Sequence, residues 1–296
     1  MNFKYSKDEK ILKRINELNN FRKIYLSIMI LIIINSGFAG FVYNKDFFSM
    51  LSFLIVLIFL NAFVYFITIT NVVRESIEKE LKPKLFINIG IWFTKHDFKK
   101  GQNHYSALLD LSLGYILDGK FEEAEKILSY LEKQPLKKYN KQFFLFRKIE
   151  LYFYKKDYNK IKKLEKELKY ELKKVPKLQR KEMIDELEMI DGIISKDTNK
   201  LKQVCKRLGE SNKNIDRAHY LYIKSLFFEE ADNKYQKMLA FEGGNLFFAK
   251  EEYEDQNITT KNNMKPNKHK WPKIIQIIML LFQICLLISS ILVIFL

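Results

Sequence analysis

Residues Leu108–Leu128, LLDLSLGYILDGKFEEAEKIL, decide the fold of this chain. Apolar residues recur every three to four positions on both sides of Asp118-Gly119-Lys120, a spacing that is typical of amphipathic helices. The glycine permits the positive φ that a tight turn between two helices requires. We therefore expect a helical hairpin in which the following apolar residues meet: Leu108, Leu111 and Tyr115 from the first helix, and Phe121, Ala124, Leu128 and Leu131 from the second.

This unit, at about 104–135, resembles a tetratricopeptide repeat. The family pattern of large residues, a turn glycine, an aromatic residue, a small residue and a closing proline is matched by Leu111, Tyr115, Gly119, Phe121, Ala124 and Pro135. Ser112 stands where the family commonly has glycine. The resemblance implies an all-α, TPR-like solenoid of helical hairpins that binds protein or peptide partners.

Weaker units follow the first one along the chain. Their turns are expected at Lys155-Lys156-Asp157, at Ser195–Thr198 and at about Glu230–Asn233. The helical-repeat domain is predicted to cover residues 103–255, and a basic linker to cover 256–272. Residues 71–102 are interpreted as juxtamembrane or capping helices. The alternative places 84–100 at a membrane interface, with Trp92 as its anchor.

Three hydrophobic runs lie outside this domain, at Ile24–Tyr43, Phe47–Thr70 and Ile274–Leu296, and none of them contains Asp, Glu, Lys or Arg. A bilayer-spanning helix needs about 20 apolar residues. The runs therefore predict transmembrane helices at 24–43, 47–70 and 274–296, the first two as a hairpin preceded by a basic N-terminus at 1–23.

The net charge of +16 is uneven along the chain: basic residues cluster before the first run, after the second and before the third. The positive-inside rule then predicts a multi-pass cell-membrane protein whose N-terminus and repeat domain are cytoplasmic. Basic charge of this kind fits anionic inner-leaflet lipid better than nucleic acid. Two cysteines are too few for a disulfide framework.

The sequence predicts neither catalysis nor a bound metal or cofactor. The four histidines, His96, His104, His219 and His269, are isolated, and no phosphate-binding loop or metalloprotease motif is present. Carboxylates occur mainly in runs such as Glu122-Glu123-Ala124-Glu125, which are typical of solvated helix faces.

Two sets of residues are candidates for binding. By register with the turn at Asp157, Phe143, Phe146, Glu150 and Phe153 are expected to line a groove that suits a short hydrophobic or basic peptide. The alternative is that these aromatic residues belong to the core. Asn35, Asn61 and Gln283 are candidates for contacts between helices within the membrane, because amides buried in hydrocarbon require partners.

These observations predict a membrane-anchored scaffold or adaptor that binds a protein or peptide partner, such as another membrane protein, through its TPR-like domain. The first alternative is a structural subunit of a membrane complex, such as a transporter or an immunity system. A membrane enzyme and a nucleic-acid binder are the remaining alternatives.

Overall fold

The computed structural model describes residues 3–43, 55, 58, 62, 63, 65, 71–73, 75–174, 177–211, 213–228, 246 and 247. The regular structure of these residues is helical and contains no strand, which confirms the all-α prediction. The chain divides into two compact units. The first consists of Met1–Ser6 and Val73–Met264, and the second of Lys7–Val72 and Lys265–Leu296.

The described part of the second unit is dominated by a helix, α1, Glu9–Tyr43. Asp8 caps its N-terminus, since Asp8 Oδ1 accepts hydrogen bonds from the backbone N–H groups of Lys10 at 2.9 Å and Ile11 at 3.3 Å. The rings of Phe21 and Tyr25 stack on Tyr65 with centroids 5.7 and 4.1 Å apart. One stripe of α1 is buried along much of its length: Ile11, Ile15, Leu18, Phe21, Ile28 and Ile32.

No helix in the described part of the chain combines the length and the apolar character that crossing a bilayer requires. The predicted transmembrane helix 24–43 is instead the C-terminal part of α1, which begins in the charged segment at Glu9 and buries Ile28 and Ile32 in its packed stripe. The predicted multi-pass architecture and cell-membrane location are therefore wrong. Most of 47–70 and all of 274–296 lie outside the described residues.

The described part of the first unit contains a π-helical turn, Glu75–Lys79, and eight α-helices. In chain order these are α2 Pro83–His96, α3 Gly101–Leu117, α4 Phe121–Glu132, α5 Lys138–Tyr154, α6 Tyr158–Leu172, α7 Lys177–Ser195, α8 Thr198–Gly209 and α9 Asn214–Phe227. Helices α3 and α4, α5 and α6, and α7 and α8 are neighbours in space as well as in sequence. The unit therefore contains three successive helical hairpins.

The turns of these hairpins share one backbone feature. Gly119, Lys156 and Lys196 have φ values of 77°, 60° and 56°, and each lies two residues before the second helix of its hairpin. The three turns lie where the sequence predicted them. A left-handed lysine costs about 1 kcal/mol relative to glycine, so only the first turn has the residue best suited to it. The turn expected at Glu230–Asn233 lies outside the described residues.

The first helices of the unit pack closely because two glycines remove side chains from their contacts. A Cβ at Gly90 of α2 would lie 3.3 Å from Leu111 Cδ1, and one at Gly114 of α3 would lie 2.8 Å from Ile87 Cγ1. Trp92 of α2 is fully buried. This burial excludes its interpretation as an interfacial anchor and fits a helix that covers α3.

Helices α3 and α5, from the first and second hairpins, pack side by side. The second and third hairpins do not pack as closely, since α6 and α7 touch only lightly. A repeat solenoid is therefore not evident in the described residues. Helix α9 packs instead against α8 and the π-helical turn. At the C-terminal end of the predicted repeat domain, residues 229–255, only Leu246 and Phe247 are described, and both are buried.

Candidate functional site

Carboxylates from the first helices of all three hairpins interact electrostatically with Arg147. We call Asp110 of α3, Arg147 and Glu150 of α5, and Glu186 of α7 the Arg147 cluster. Arg147 and Glu150 lie one turn apart on α5, and their side chains are only 9% and 11% exposed. Asp110 and Glu186 are partly exposed. The cluster therefore contains three carboxylates and one guanidinium, and it lies at the boundary between core and solvent.

The guanidinium of Arg147 is held from two sides. Its Nη1 donates a 2.5 Å hydrogen bond to Glu150 Oε2, and its carbon atom lies 5.9 Å from the ring centroid of Phe143 and 5.5 Å from that of Phe146. Within the described residues, the buried Nε of Arg147 has no hydrogen-bonding partner. One donor of the cluster is thus buried without an acceptor.

Desolvation has the largest effect on the pKa values of Asp110 and Glu150. Burial raises the pKa of Asp110 to about 6, although the charge of Arg147 opposes this shift. Burial likewise raises the pKa of Glu150, again against the charge and hydrogen bond of Arg147. Burial would lower the pKa of Arg147, but the charges of Glu150, Glu186 and Asp110 raise it above its usual value. The charge of Arg147 does not offset the desolvation of Asp110 and Glu150, so a further cation near these two carboxylates would be favourable.

The structure places the four predicted groove residues on α5 but buries three of them. Phe146 and Phe153 are 2% and 4% exposed, and Glu150 is also buried. Phe143 is half-buried, and the exposed ring of Tyr139 lies against it at 4.7 Å. Phe146 and Phe153 therefore belong to the core, which was the stated alternative, whereas Phe143 borders the solvent beside the Arg147 cluster.

The predicted intramembrane contacts receive no support from the structure. Asn35 lies within α1, but its side chain is not among those described. Asn61 and Gln283 lie outside the described residues. Since the predicted membrane architecture is contradicted, these residues have no assigned role.

Sequence reasoning identified Glu150 but missed the other three members of the cluster. A signal was present: Asp110, Arg147 and Glu186 recur 37 and 39 residues apart, close to the distance between the hairpin turns. A charge at one register position on each first helix indicates a charged row across the hairpins.

A second feature lies between α8 and α9. An open groove of about 670 Å³ lies between these two helices. It is lined by Lys202, Cys205, Lys206 and Gly209 of α8, by Tyr220, Lys224 and Phe227 of α9, and by Phe228, which follows α9. We call this the α8–α9 groove. Among the described residues, its lining combines lysines with aromatic rings and contains no acidic residue.

A buried hydrogen bond joins α5 to α9. Tyr154 Oη lies 3.1 Å from His219 Nε2, and both residues are buried. Burial lowers the pKa of His219 to about 4, so the imidazole is neutral near pH 7. This pair is part of the core, and we assign it a structural role.

Among the described residues, no group of three or more His, Cys, Asp or Glu side chains could hold a metal ion. Comparisons with models of protein families, with curated proteins and with solved structures give no match to this chain. The class defined by the fold and the site is therefore an all-α helical-hairpin protein with a charged cluster across its hairpins.

Proposed function

We propose that the helical-hairpin unit is a binding module for a protein partner, and that the Arg147 cluster receives a basic segment of that partner. The observation that carries this proposal is the desolvated carboxylate of Asp110, whose pKa is raised to about 6 despite the nearby Arg147. A carboxylate in this state is stabilised when an additional cation approaches. An arginine or lysine side chain of a partner is such a cation.

The neighbouring side chains support a peptide as the occupant. Phe143 and Tyr139 offer a partly exposed aromatic surface next to the charges, and aromatic residues are enriched where proteins bind one another. A segment with a basic side chain and an adjacent apolar residue would match both the charged cluster and this aromatic surface.

The resemblance of residues 104–135 to a tetratricopeptide repeat adds to this proposal, because helical hairpins of that family commonly bind peptides. It implies a scaffold or adaptor role for the chain. The overall charge of the chain is also relevant to where a basic peptide can bind. A chain with a net charge of +16 repels cations in general, so binding of a basic peptide requires a local acidic site.

Titration of the full chain with a labelled peptide tests the proposal. The probe is a fluorescein-labelled, C-terminally amidated peptide with arginines on both sides of a leucine, followed by anisotropy. We expect saturable binding that weakens about fivefold or more in Asp110→Asn and in Glu186→Gln, since each variant removes one carboxylate of the cluster.

The control is Glu122→Gln, which removes the same charge from an exposed position on α4. Its affinity for the arginine peptide should stay within about twofold of the wild-type value, because exposed charges contribute little. Equal affinity in all variants, or equal binding of a peptide with glutamates in place of the arginines, would contradict the proposal.

A further inference from the structure

We propose that the α8–α9 groove is a second, independent binding site, which takes an acidic segment of a partner protein with an apolar residue at its centre. This site has the opposite charge preference to the Arg147 cluster and shares no residue with it. The inference therefore does not depend on the function proposed for that cluster.

The groove has an apolar floor. Cys205 is 6% exposed, and Tyr220, Phe227 and Phe228 are half-buried around it. Gly209 at the end of α8 leaves one side of the groove open, since a Cβ there would lie 3.5 Å from Tyr220 Cε2 and meet no closer atom. An apolar side chain of a partner would bury surface on this floor and gain hydrophobic stabilisation.

Lysines stand on both edges of this floor. Lys202 and Lys206 are one turn apart on α8 and are exposed. Lys224 of α9 lies across the groove, with its ammonium 5.1 Å from the ring centroid of Tyr220. Acidic residues on either side of an apolar anchor would therefore meet a lysine on each edge.

The balance of lining residues favours a peptide over nucleic acid. Single-stranded nucleic acid requires a basic path that follows several phosphates, with bases stacked on exposed aromatic faces. Here the aromatic rings form the floor of one groove of about 670 Å³, and the lysines border that groove only. This volume suits one anchoring side chain and its neighbours, not a continuous strand.

A matched pair of charge reversals tests the site in the full chain. The probe is a labelled synthetic peptide with a Leu-Phe pair flanked by glutamates. Lys202→Glu/Lys206→Glu should weaken its binding by about tenfold or more. Lys162→Glu/Lys166→Glu changes the same charge at the same spacing on the exposed face of α6, and it should change the affinity by about threefold at most.

A second variant fills the groove without changing any charge. Gly209→Leu should also reduce peptide affinity by about tenfold, because its side chain would occupy the floor that receives the Leu-Phe pair. Circular dichroism that matches the wild type shows that each variant is folded.

The location of the peptide can be read at Cys205. In a Cys285→Ser background, Cys205 is the sole cysteine of the chain, and saturating peptide should slow its reaction with a thiol reagent about fivefold or more, since access to the groove is blocked. Equal loss of affinity in the α6 control, unchanged Cys205 reactivity, or Lys202/Lys206-dependent binding of labelled oligothymidylate in place of the peptide would each overturn the proposal.

Discussion

Arg147→Met is expected to lower the free energy of unfolding at pH 7 by about 3–5 kcal/mol, as removal of one partner from a buried ion pair commonly does. The variant leaves Glu150 buried without its 2.5 Å hydrogen bond. It also removes the cation that interacts electrostatically with Asp110 and Glu186. Urea denaturation followed by circular dichroism measures the change.

Two further variants make this prediction specific to the buried pair. Arg207→Met removes an arginine that pairs with Asp185 at 2.7 Å and Glu188 at 2.6 Å but is 40% exposed; it should cost about 1 kcal/mol or less. Arg147→Met/Glu150→Met should recover a large part of the loss, because it leaves no unpaired charge in place of the pair. Equal, small costs for Arg147→Met and Arg207→Met would show that the pair is solvated.

Asp110→Asn is expected to stabilise the protein at pH 7 by up to about 3 kcal/mol. The folded-state pKa of Asp110 is about 6, against an ordinary value of 3.8, and each pKa unit corresponds to about 1.4 kcal/mol. Asparagine has the shape of the protonated carboxyl group and removes the cost of ionising it in the folded protein. Asp110→Asn is thus expected to raise the free energy of unfolding, whereas replacing a carboxylate that forms favourable interactions would lower it.

The gain must depend on pH with a defined sign. Because the folded pKa of Asp110 is raised, its contribution to stability is present below pH 3.8 and is lost as the pH rises through about 6. The two proteins should therefore have equal stability at about pH 4 and should diverge up to about pH 7. The folded pKa of His219 is lowered to about 4, so its contribution to stability is lost as the pH falls below 6.5. This contribution is the same in both proteins and does not change the difference between them.

The same urea titrations at pH 4 and pH 7 provide the measurement for Asp110→Asn, with Glu122→Gln as the control. The exposed Glu122 should change stability by no more than about 0.5 kcal/mol at either pH. A destabilised Asp110→Asn at pH 7 would mean that the carboxylate makes a net favourable interaction in the folded protein. That result would remove the physical basis of the proposed cation site.

The local structure of the hairpins could be predicted from the sequence because its determinants are local. Periodic apolar residues and the Asp118-Gly119-Lys120 turn specify α3 and α4, and the buried residues Leu111, Ala124 and Leu131 follow from them. Even the turns at Lys156 and Lys196 were predictable from the helices that flank them, although neither residue favours a left-handed conformation.

The features that depend on tertiary contacts could not be predicted in this way. Hydropathy alone indicated a bilayer span at 24–43, whereas the helix that contains it starts at Glu9 and packs Ile28 and Ile32 along a buried stripe. Aromatic spacing on α5 indicated a groove, but α5 packs against α3, α4 and α6, and Phe146 and Phe153 are buried. The candidate site consists instead of charged side chains from three different helices.

The most direct test of the Arg147 cluster as a cation-binding site is the pH dependence of arginine-peptide affinity, measured by anisotropy at pH 7.5 and pH 5. Arginine does not titrate in this range, and neither does His219, whose pKa is about 4, whereas Asp110 becomes protonated below about pH 6. The account predicts that wild-type affinity falls about fivefold or more on acidification, and that Asp110→Asn binds weakly with a smaller pH dependence. Wild-type affinity that is the same at both pH values, or an identical fall in Asp110→Asn, would contradict it.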